Sequence, residues 1–424
     1  MRILHTADWH LGRTLHGVDL GSAHAAFFDH LVETVRSEKV DAVLVAGDVH
    51  DRAFPSLEAV ALLESALVRL CELTRVVITP GNHDSAIRLG FGSDLFRERL
   101  AVRPRPLDAA SPIVIPDAHG GPGLLVYAVP YLDPDAARVT LAPWSDEPLH
   151  RSHASAMATV VKRVSADLAG RRASEPTPAV LMAHAFVGGG LASDSERDIR
   201  VGGVDAVPAA VFDGSGLDYV ALGHLHGPQR VGRVRGQGAD AVEAPVPELV
   251  EGPFPELVEG GQPASGSGPL MRYSGSPVAM SFSERHHTKS SVLVEFGAAG
   301  VRHELVDAPV PRKLSEVRGS LDEVMSGRHD DKREHWVRVL VTGRHRPADL
   351  ANTVKRAFPH ALEIHFVGEA AERPHLPGMA REASDPLGVL EEFVAVVRRK
   401  APDARERLVL REAYEGVRAA EAVG

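Results

Sequence analysis

The first hundred residues constrain this chain more tightly than any other part of it. Short runs rich in β-branched residues, RILHTA, AVLVAGDV and RVVITPGN, alternate with longer amphipathic stretches, AAFFDHLVETVRSE and SLEAVALLESALVRL. A strand period and a helix period taking turns predict an α/β layered domain. Further strand-like runs follow at GLLVYAVP, AVLMAHAFV, LDYVALGHLH and SVLVEFG, with a helix expected around residues 152–169.

The ends of these runs carry polar residues of one kind. The first ends in Asp8 and His10, the second in Gly47-Asp48, the third in Gly81-Asn82-His83-Asp84. Two later runs end in His184 and in Gly223-His224-Leu-His226. Ligands of α/β sheets collect beyond the carboxyl ends of the strands, so all five ends are expected at one rim. In extended chain Asp8 and His10 share a face, as do His224 and His226, by the period of two. His83 is expected on the face opposite its neighbour Asn82, and therefore not as a ligand.

These residue types suit two divalent metal ions, which together activate a water and stabilise both oxygens of an in-line displacement at phosphorus. Asp48, on its glycine turn, is the natural bridging carboxylate. Asp8, His10 and His226 can complete one ion; Asn82, His184 and His224 can complete the other. Imidazole, carboxylate and amide oxygen without thiolate suit manganese, iron or zinc. His83 is the candidate acid for the leaving alkoxide or an orienting group for the phosphate, and Asp84 is expected to hold its tautomer.

The net charge of −10 argues against a generally basic, nucleic-acid-coating surface, although a local basic face remains compatible with DNA. Residues 309–359 run the other way, with eleven Lys/Arg against seven Asp/Glu. The lone cysteine, Cys71, lies in an apolar helical run and is expected as a buried structural thiol; such usage suits the reducing cytosol. Neither a signal peptide nor a membrane span is expected, and the protein is expected in the cytoplasm.

Residues 232–269 are rich in Gly, Pro, Ala and Glu and repeat PELVEG, as a disordered surface insertion would. A small α+β module is expected from HWVRVLVTG, PADLANTVKRAF and ALEIHFVG, followed by two helices, LGVLEEFVAVVRRK and ARERLVLREAYEGV. The first of these carries an apolar face from Leu387, Val389, Leu390, Phe393, Val394, Val396 and Val397 that needs a partner.

DxH, GDxxD, GNHD, a lone His and GHxH in this order resemble the calcineurin-like metallophosphoesterases. The surrounding text is similar to one branch of them, the bacterial SbcD nucleases: RILHTADWHLGRTLHG, GDVHDRAFPS, HAFVGGGLASDSER, YVALGHLHGPQ, and RYSGSPVAMSFSE with Lys289 soon after. The resemblance is strong over residues 1–310 and in outline beyond. It implies a two-sheet sandwich at 1–308, a small α+β DNA-capping domain at 309–375 and C-terminal helices at 376–424. Those helices would dock an SbcC-like coiled-coil ATPase. It implies two manganese ions, one on Asp8, His10, Asp48 and His226, the other on Asp48, Asn82, His184 and His224, with His83 catalytic. The implied activity is ATP-dependent double-strand 3′–5′ exonuclease and single-strand and hairpin endonuclease action in DNA recombination, replication and repair, by a homodimer of this subunit. Two features depart from the pattern: Asp51 stands where some relatives carry a histidine, with His50 one place earlier, and the PELVEG repeat has no counterpart.

Two other readings share the rim. A phosphoesterase for small phosphodiesters needs the same ligands but neither the basic 309–359 stretch nor the C-terminal helices. A non-catalytic scaffold usually lacks a ligand or acid position, and none is missing here.

Overall fold

The computed structural model describes residues 1–96, 98–196, 206–232, 268–368, 388, 391, 394, 398 and 400–421. The PELVEG repeat and most of the helix expected at 387–400 lie outside the described residues. The chain divides into two compact units: Met1–Val317 with Asp330–Arg338 and Ala357–Glu363, and Arg318–His329 with Val339–Arg356 and Ile364–Gly424.

The first unit holds two six-stranded sheets. One runs β14 (Gly300–Asp307), β13 (Ser290–Gly297), β1 (Arg2–Thr6), β4 (Ala42–Ala46), β5 (Arg75–Thr79), β6 (Leu100–Val102). The other runs β11 (Gln229–Val231), β12 (Leu270–Tyr273), β10 (Tyr219–Gly223), β9 (Ala179–His184), β8 (Pro122–Val129), β7 (Ile113–Pro116). A short hairpin of β2 (Thr14–Leu15) and β3 (Val18–Asp19) follows the first strand. Strands β1, β4, β5 and β6 are parallel, as are β8, β9, β10 and β12; the outer strands β13, β14, β7 and β11 pair antiparallel.

Alternate residues of each strand serve different layers. Ile3, Leu44 and Val77 pack with Val126, Met182 and Tyr219 of the second sheet, forming the apolar interior between the sheets. Their neighbours Leu4, Val43, Val45 and Ile78 face Phe27, Phe28 and Leu31 of α1 (Gly21–Ser37) and Leu63 and Leu70 of α2 (Leu57–Leu73). On the outer face of the second sheet, Tyr127, Leu181 and Leu222 meet Val160, Val161 and Val164 of α5 (His153–Arg172). This is a helix–sheet–sheet–helix sandwich. Strands covered on both faces read as continuous apolar runs, which is why AVLVA of β4 is buried at every position. The helix expected at 152–169 is α5. Helices α3 (Ala86–Leu89) and α4 (Pro134–Thr140) are short and end-capped by Ser85 and Asp133.

Cys71 on α2 is half-buried rather than fully buried, at the rim of the apolar layer beneath that helix, with its thiol directed at Arg99 O. The expected small module appears as β15 (Leu314–Gly319), β16 (Trp336–Gly343) and β17 (Ala361–Gly368) in that sheet order, with α6 (Leu321–Met325) and α7 (Leu350–Ala357). Ser320 and Glu323 close a capping box on α6. The last helix, α8, spans Ala404–Glu421. Among the described residues no helix is long and apolar enough to cross a membrane.

The two sheets touch at the rim where β4 and β10 end. A Cβ on Gly223 would stand 1.8 Å from Ala46 O, and one on Gly47, whose φ is +86°, would stand 2.3 Å from His184 Nδ1. Only glycine permits that approach, and it places Asp48 and His224 side by side.

Candidate metal centre

The candidate residues lie at or just past the carboxyl ends of β1, β4, β5, β9 and β10. They do not reach the rim by strand alternation, as expected for Asp8 with His10 and for His224 with His226. Strand β1 stops at Thr6, and Asp8 and His10 take left-handed backbone, φ 55° and 46°. Asp48 does the same at φ 48°, and His224 sits at φ 108°. Non-glycine residues there cost of order 1–3 kcal/mol each, so surrounding contacts must hold them. Those contacts are present: Asp8 N donates to Gly47 O (3.1 Å), His10 N to Asp48 O (2.9 Å), and His224 N to both Asp8 carboxylate oxygens (3.0 Å).

Asp48 is central. Its Oδ2 is 3.4 Å from His10 Nε2 and 3.4 Å from His184 Nε2, and 4.0 Å from His83 Nε2. Its Oδ1 accepts the His83 backbone N–H at 2.8 Å. Among the described residues, three overlapping groups have ligand atoms close enough to share an ion: Asp8, His10 and His226; His10, Asp48 and His83; Asp8, Asp48 and His184. Asn82 joins through its Oδ1, 2.8 Å from His184 Nε2. His224 stacks edge-on against His184, with ring centroids 5.4 Å apart.

Four rings are oriented alike. Nδ1 of His184 faces Ala46 O at 3.0 Å, that of His83 faces Asp51 O at 2.8 Å, that of His226 faces Ser195 Oγ at 2.7 Å, and that of His10 faces Asp51 Oδ1 at 3.6 Å. Nδ1 is hydrogen-bonded from behind in His184, His83 and His226, while that of His10 only lies near the Asp51 carboxylate; His10 Nε2 and His226 Nε2 stand 3.2 Å apart. Holding one ring nitrogen this way fixes what the other presents to the site.

The electrostatics fit divalent cations. Asp8 and Asp48 are almost completely buried. Burial lifts Asp8 to about 7, against the pull of His184 and with a push from Asp48. Burial acts the same way on Asp48, but His184, His10 and His83 outweigh it and hold that carboxyl well below the usual range. Burial lowers His184, yet Asp48 and Asp8 raise it to about 9. Burial and mutual charge thus tie the protonation of these groups together, and a bound divalent cation would take the place of protons in such a cluster.

Two expectations are corrected. Asp84 does not steady His83: its carboxylate accepts the backbone N–H groups of Val49, His50 and Gly81 at 2.9–3.0 Å and so ties together the two glycine turns, while the Asp51 carbonyl holds His83. His83 is also not turned away, because residues 82–84 form a bend rather than extended chain; its Nε2 faces Asp48. Of the two residues at that departure from the family pattern, Asp51 lies between Arg13 (2.8 Å) and His10, which together outweigh burial and keep it ionised, and His50 packs beside Asp84 at 3.4 Å. Sequence reasoning gave no role to Ser195, Glu196, Glu284 and Lys289, which back His226. The available signal was the charged run Glu284-Arg285-His286-His287-Thr288-Lys289, directly ahead of the apolar strand SSVLVEFG.

The family model of the calcineurin-like phosphoesterases matches residues 1–228, and that of the type 5 capsule protein repressor C-terminal domain matches residues 310–400. Two curated relatives, the SbcD components of the SbcCD nuclease from Escherichia coli strain K12 and from O157:H7, are each 30% identical over 328 residues, which is 76% of this chain and 72% of theirs. A solved calcineurin-like phosphoesterase, YfkN from Bacillus subtilis, aligns over 72% of this chain and 90% of its own at 11% identity with a TM-score of 0.35. The buried Asp/His rim, the family match over more than half of the chain and the identity to both relatives agree: the chain belongs to the calcineurin-like phosphoesterases, in their SbcD-like nuclease branch.

Proposed function

We propose that this chain is the nuclease subunit of an SbcCD-type complex, hydrolysing phosphodiester bonds at DNA ends and hairpins with two manganese ions, in the cytoplasm, beside an SbcC-like coiled-coil ATPase. The observation that carries the reading is the convergence of His10, His83 and His184 on the one carboxylate of Asp48. Asp8, His10, Asp48 and His226 would hold one ion; Asp48, Asn82, His184 and His224 the other. Bound there, divalent cations supply charge for the phosphoryl oxygens and acidify a water. His83, with its Nδ1–H committed to the Asp51 carbonyl, would in its doubly protonated form give the Nε2 proton to the leaving oxygen. In this reading residues 1–308 carry the nuclease, 309–375 cap DNA, 376–424 dock the ATPase, and two copies of the subunit work together.

The test is co-purification with an encoded SbcC-like ATPase, then manganese-dependent digestion of linear double-stranded DNA with and without ATP. Bis-p-nitrophenyl phosphate serves as the small-diester comparison. Digestion of DNA that rises with ATP supports the proposal. Hydrolysis of the small diester with none on DNA, even with the ATPase present, would transfer the site to small phosphodiesters.

A further inference from the structure

We propose that Ser195, Glu284 and Lys289 are positioning residues for His226, setting which nitrogen of its ring faces the Asp8–His10 side of the cluster. Glu284 and Lys289 are buried to 1% and 2% exposure, one layer behind the ring. Lys289 Nζ donates to Glu284 Oε2, to Ser276 Oγ (2.9 Å) and to the His226 carbonyl (3.2 Å). Glu284 Oε1 accepts the Ser195 hydroxyl and lies 3.4 Å from His226 Nδ1, and Ser195 Oγ lies 2.7 Å from the same nitrogen.

The direction of these bonds follows from what each group can do. A carboxylate beside an ammonium is anionic and only accepts, so the Ser195 hydrogen points at Glu284. What Ser195 offers His226 is then a lone pair, and Nδ1 must carry the ring hydrogen. Nε2 is left as a lone pair, 3.2 Å from His10 Nε2. Two nitrogens bound about 2.1 Å from one ion at right angles stand about 3 Å apart. The opposite tautomer would aim an N–H at that point.

The main chain of His226 is held as well. Glu196 Oε1 accepts its N–H at 2.7 Å while Lys289 grips its carbonyl. Glu196 is itself fixed by the Ser193 N–H (2.7 Å) and hydroxyl (2.6 Å). A buried ion pair is weak evidence for a stabilising role. The hydroxyl link from that pair to Nδ1 is the part that stability alone does not require.

The inference rests on the two-cation reading proposed above, and the test separates the two. Metal-free full-length wild type, Ser195→Ala, Ser195→Thr and the charge-neutral double variant Glu284→Gln/Lys289→Met are compared by ¹⁵N-histidine NMR and by calorimetric titration with Mn²⁺. The His226 signal is assigned by its absence in His226→Gln. Wild-type His226 is expected to be protonated at Nδ1. Ser195→Ala and the double variant should give mixed tautomers. They should also weaken one of two Mn²⁺ binding events by about 10- to 100-fold, the usual loss for a missing ligand support, and leave the other unchanged. Ser195→Thr should restore both. A wild-type tautomer in Ser195→Ala overturns the proposal. So does a loss spread evenly over both binding events together with a lowered Tm. If the wild type binds no Mn²⁺, the cation reading fails while the tautomer still decides the role of Ser195 and the pair.

Discussion

Gly47→Ala tests how the rim is assembled. Its φ of +86° lies in the left-handed region, where a β-carbon costs about 1–2 kcal/mol. The new methyl would also start 2.3 Å from His184 Nδ1, against an ordinary contact of 3.4 Å or more, so the ring must retreat by about 1 Å. That retreat breaks the His184–Ala46 hydrogen bond of 3.0 Å and overpacks a buried layer, for about 1–3 kcal/mol more. The sum is roughly 2–5 kcal/mol, or a Tm lower by roughly 2–6 °C at this size. A displacement of about 1 Å at a reacting centre also costs on the order of 100-fold in rate. Gly120→Ala is the control, because Gly120 has φ +83° and a methyl group there would meet nothing within 4 Å; it should show the conformational cost alone. Differential scanning fluorimetry and hydrolysis of bis-p-nitrophenyl phosphate with Mn²⁺ read both effects. If Gly47→Ala melts with Gly120→Ala and keeps the wild-type rate, the close-approach reasoning is refuted.

Three more predictions follow from the site and the core. Asp48→Asn should disturb both Mn²⁺ binding events and His10→Asn only one, by metal counting with plasma emission on the purified proteins; equal losses would remove Asp48 as the bridge. His83→Gln should lower kcat by about 10²- to 10⁴-fold, the usual span for a general acid, with Mn²⁺ stoichiometry kept, and unchanged turnover would exclude His83 as the acid. Burial pushes His5, bonded to Tyr219 OH at 3.0 Å, down to about 3. The unfolded chain therefore takes up that proton first, and stability is lost as pH falls from about 6.5 towards 3, at up to about 1.4 kcal/mol per pH unit. Urea midpoints between pH 7 and pH 5 should fall less steeply in His5→Gln, and parallel slopes would refute the assignment.

The strands that were legible are the ones covered on both sides. AVLVA and AVLMAH read as strands because every residue is buried, and the polar residues at their ends marked the rim. Strand β14, GVRHELVD, was not legible: it is an edge strand whose side chains are mostly exposed, so no apolar alternation marks it, and its pairing with β13 is made by the backbone. The residues of the rim could be read from the sequence, but the way they converge could not. Period-two reasoning ends where β1 ends, at Thr6, and the turn of Asp8 and His10 into the site is a left-handed excursion held by Gly47 O and Asp48 O. The same limit hid the Asp51 carbonyl behind His83 and the Glu284–Lys289 pair behind His226, since both are contacts between segments far apart in the chain.

The place of β1 has a consequence for how the protein is made. That strand is an inner one, parallel to β4 on one side and antiparallel to β13 on the other, with Arg2 opposite Glu295. As the chain is made, β1 therefore keeps one edge unpaired until β13 emerges nearly three hundred residues later. At 5–20 residues per second that wait is roughly 15–60 s. Through it the Asp8–His10 turn has only part of its frame, and His184, His224 and His226 do not yet exist or have just appeared. A chain stopped before β13 leaves β1 with an open edge in the sheet that carries the Asp8–His10 turn, so the frame of that turn closes only once Ser290–Gly297 have been made.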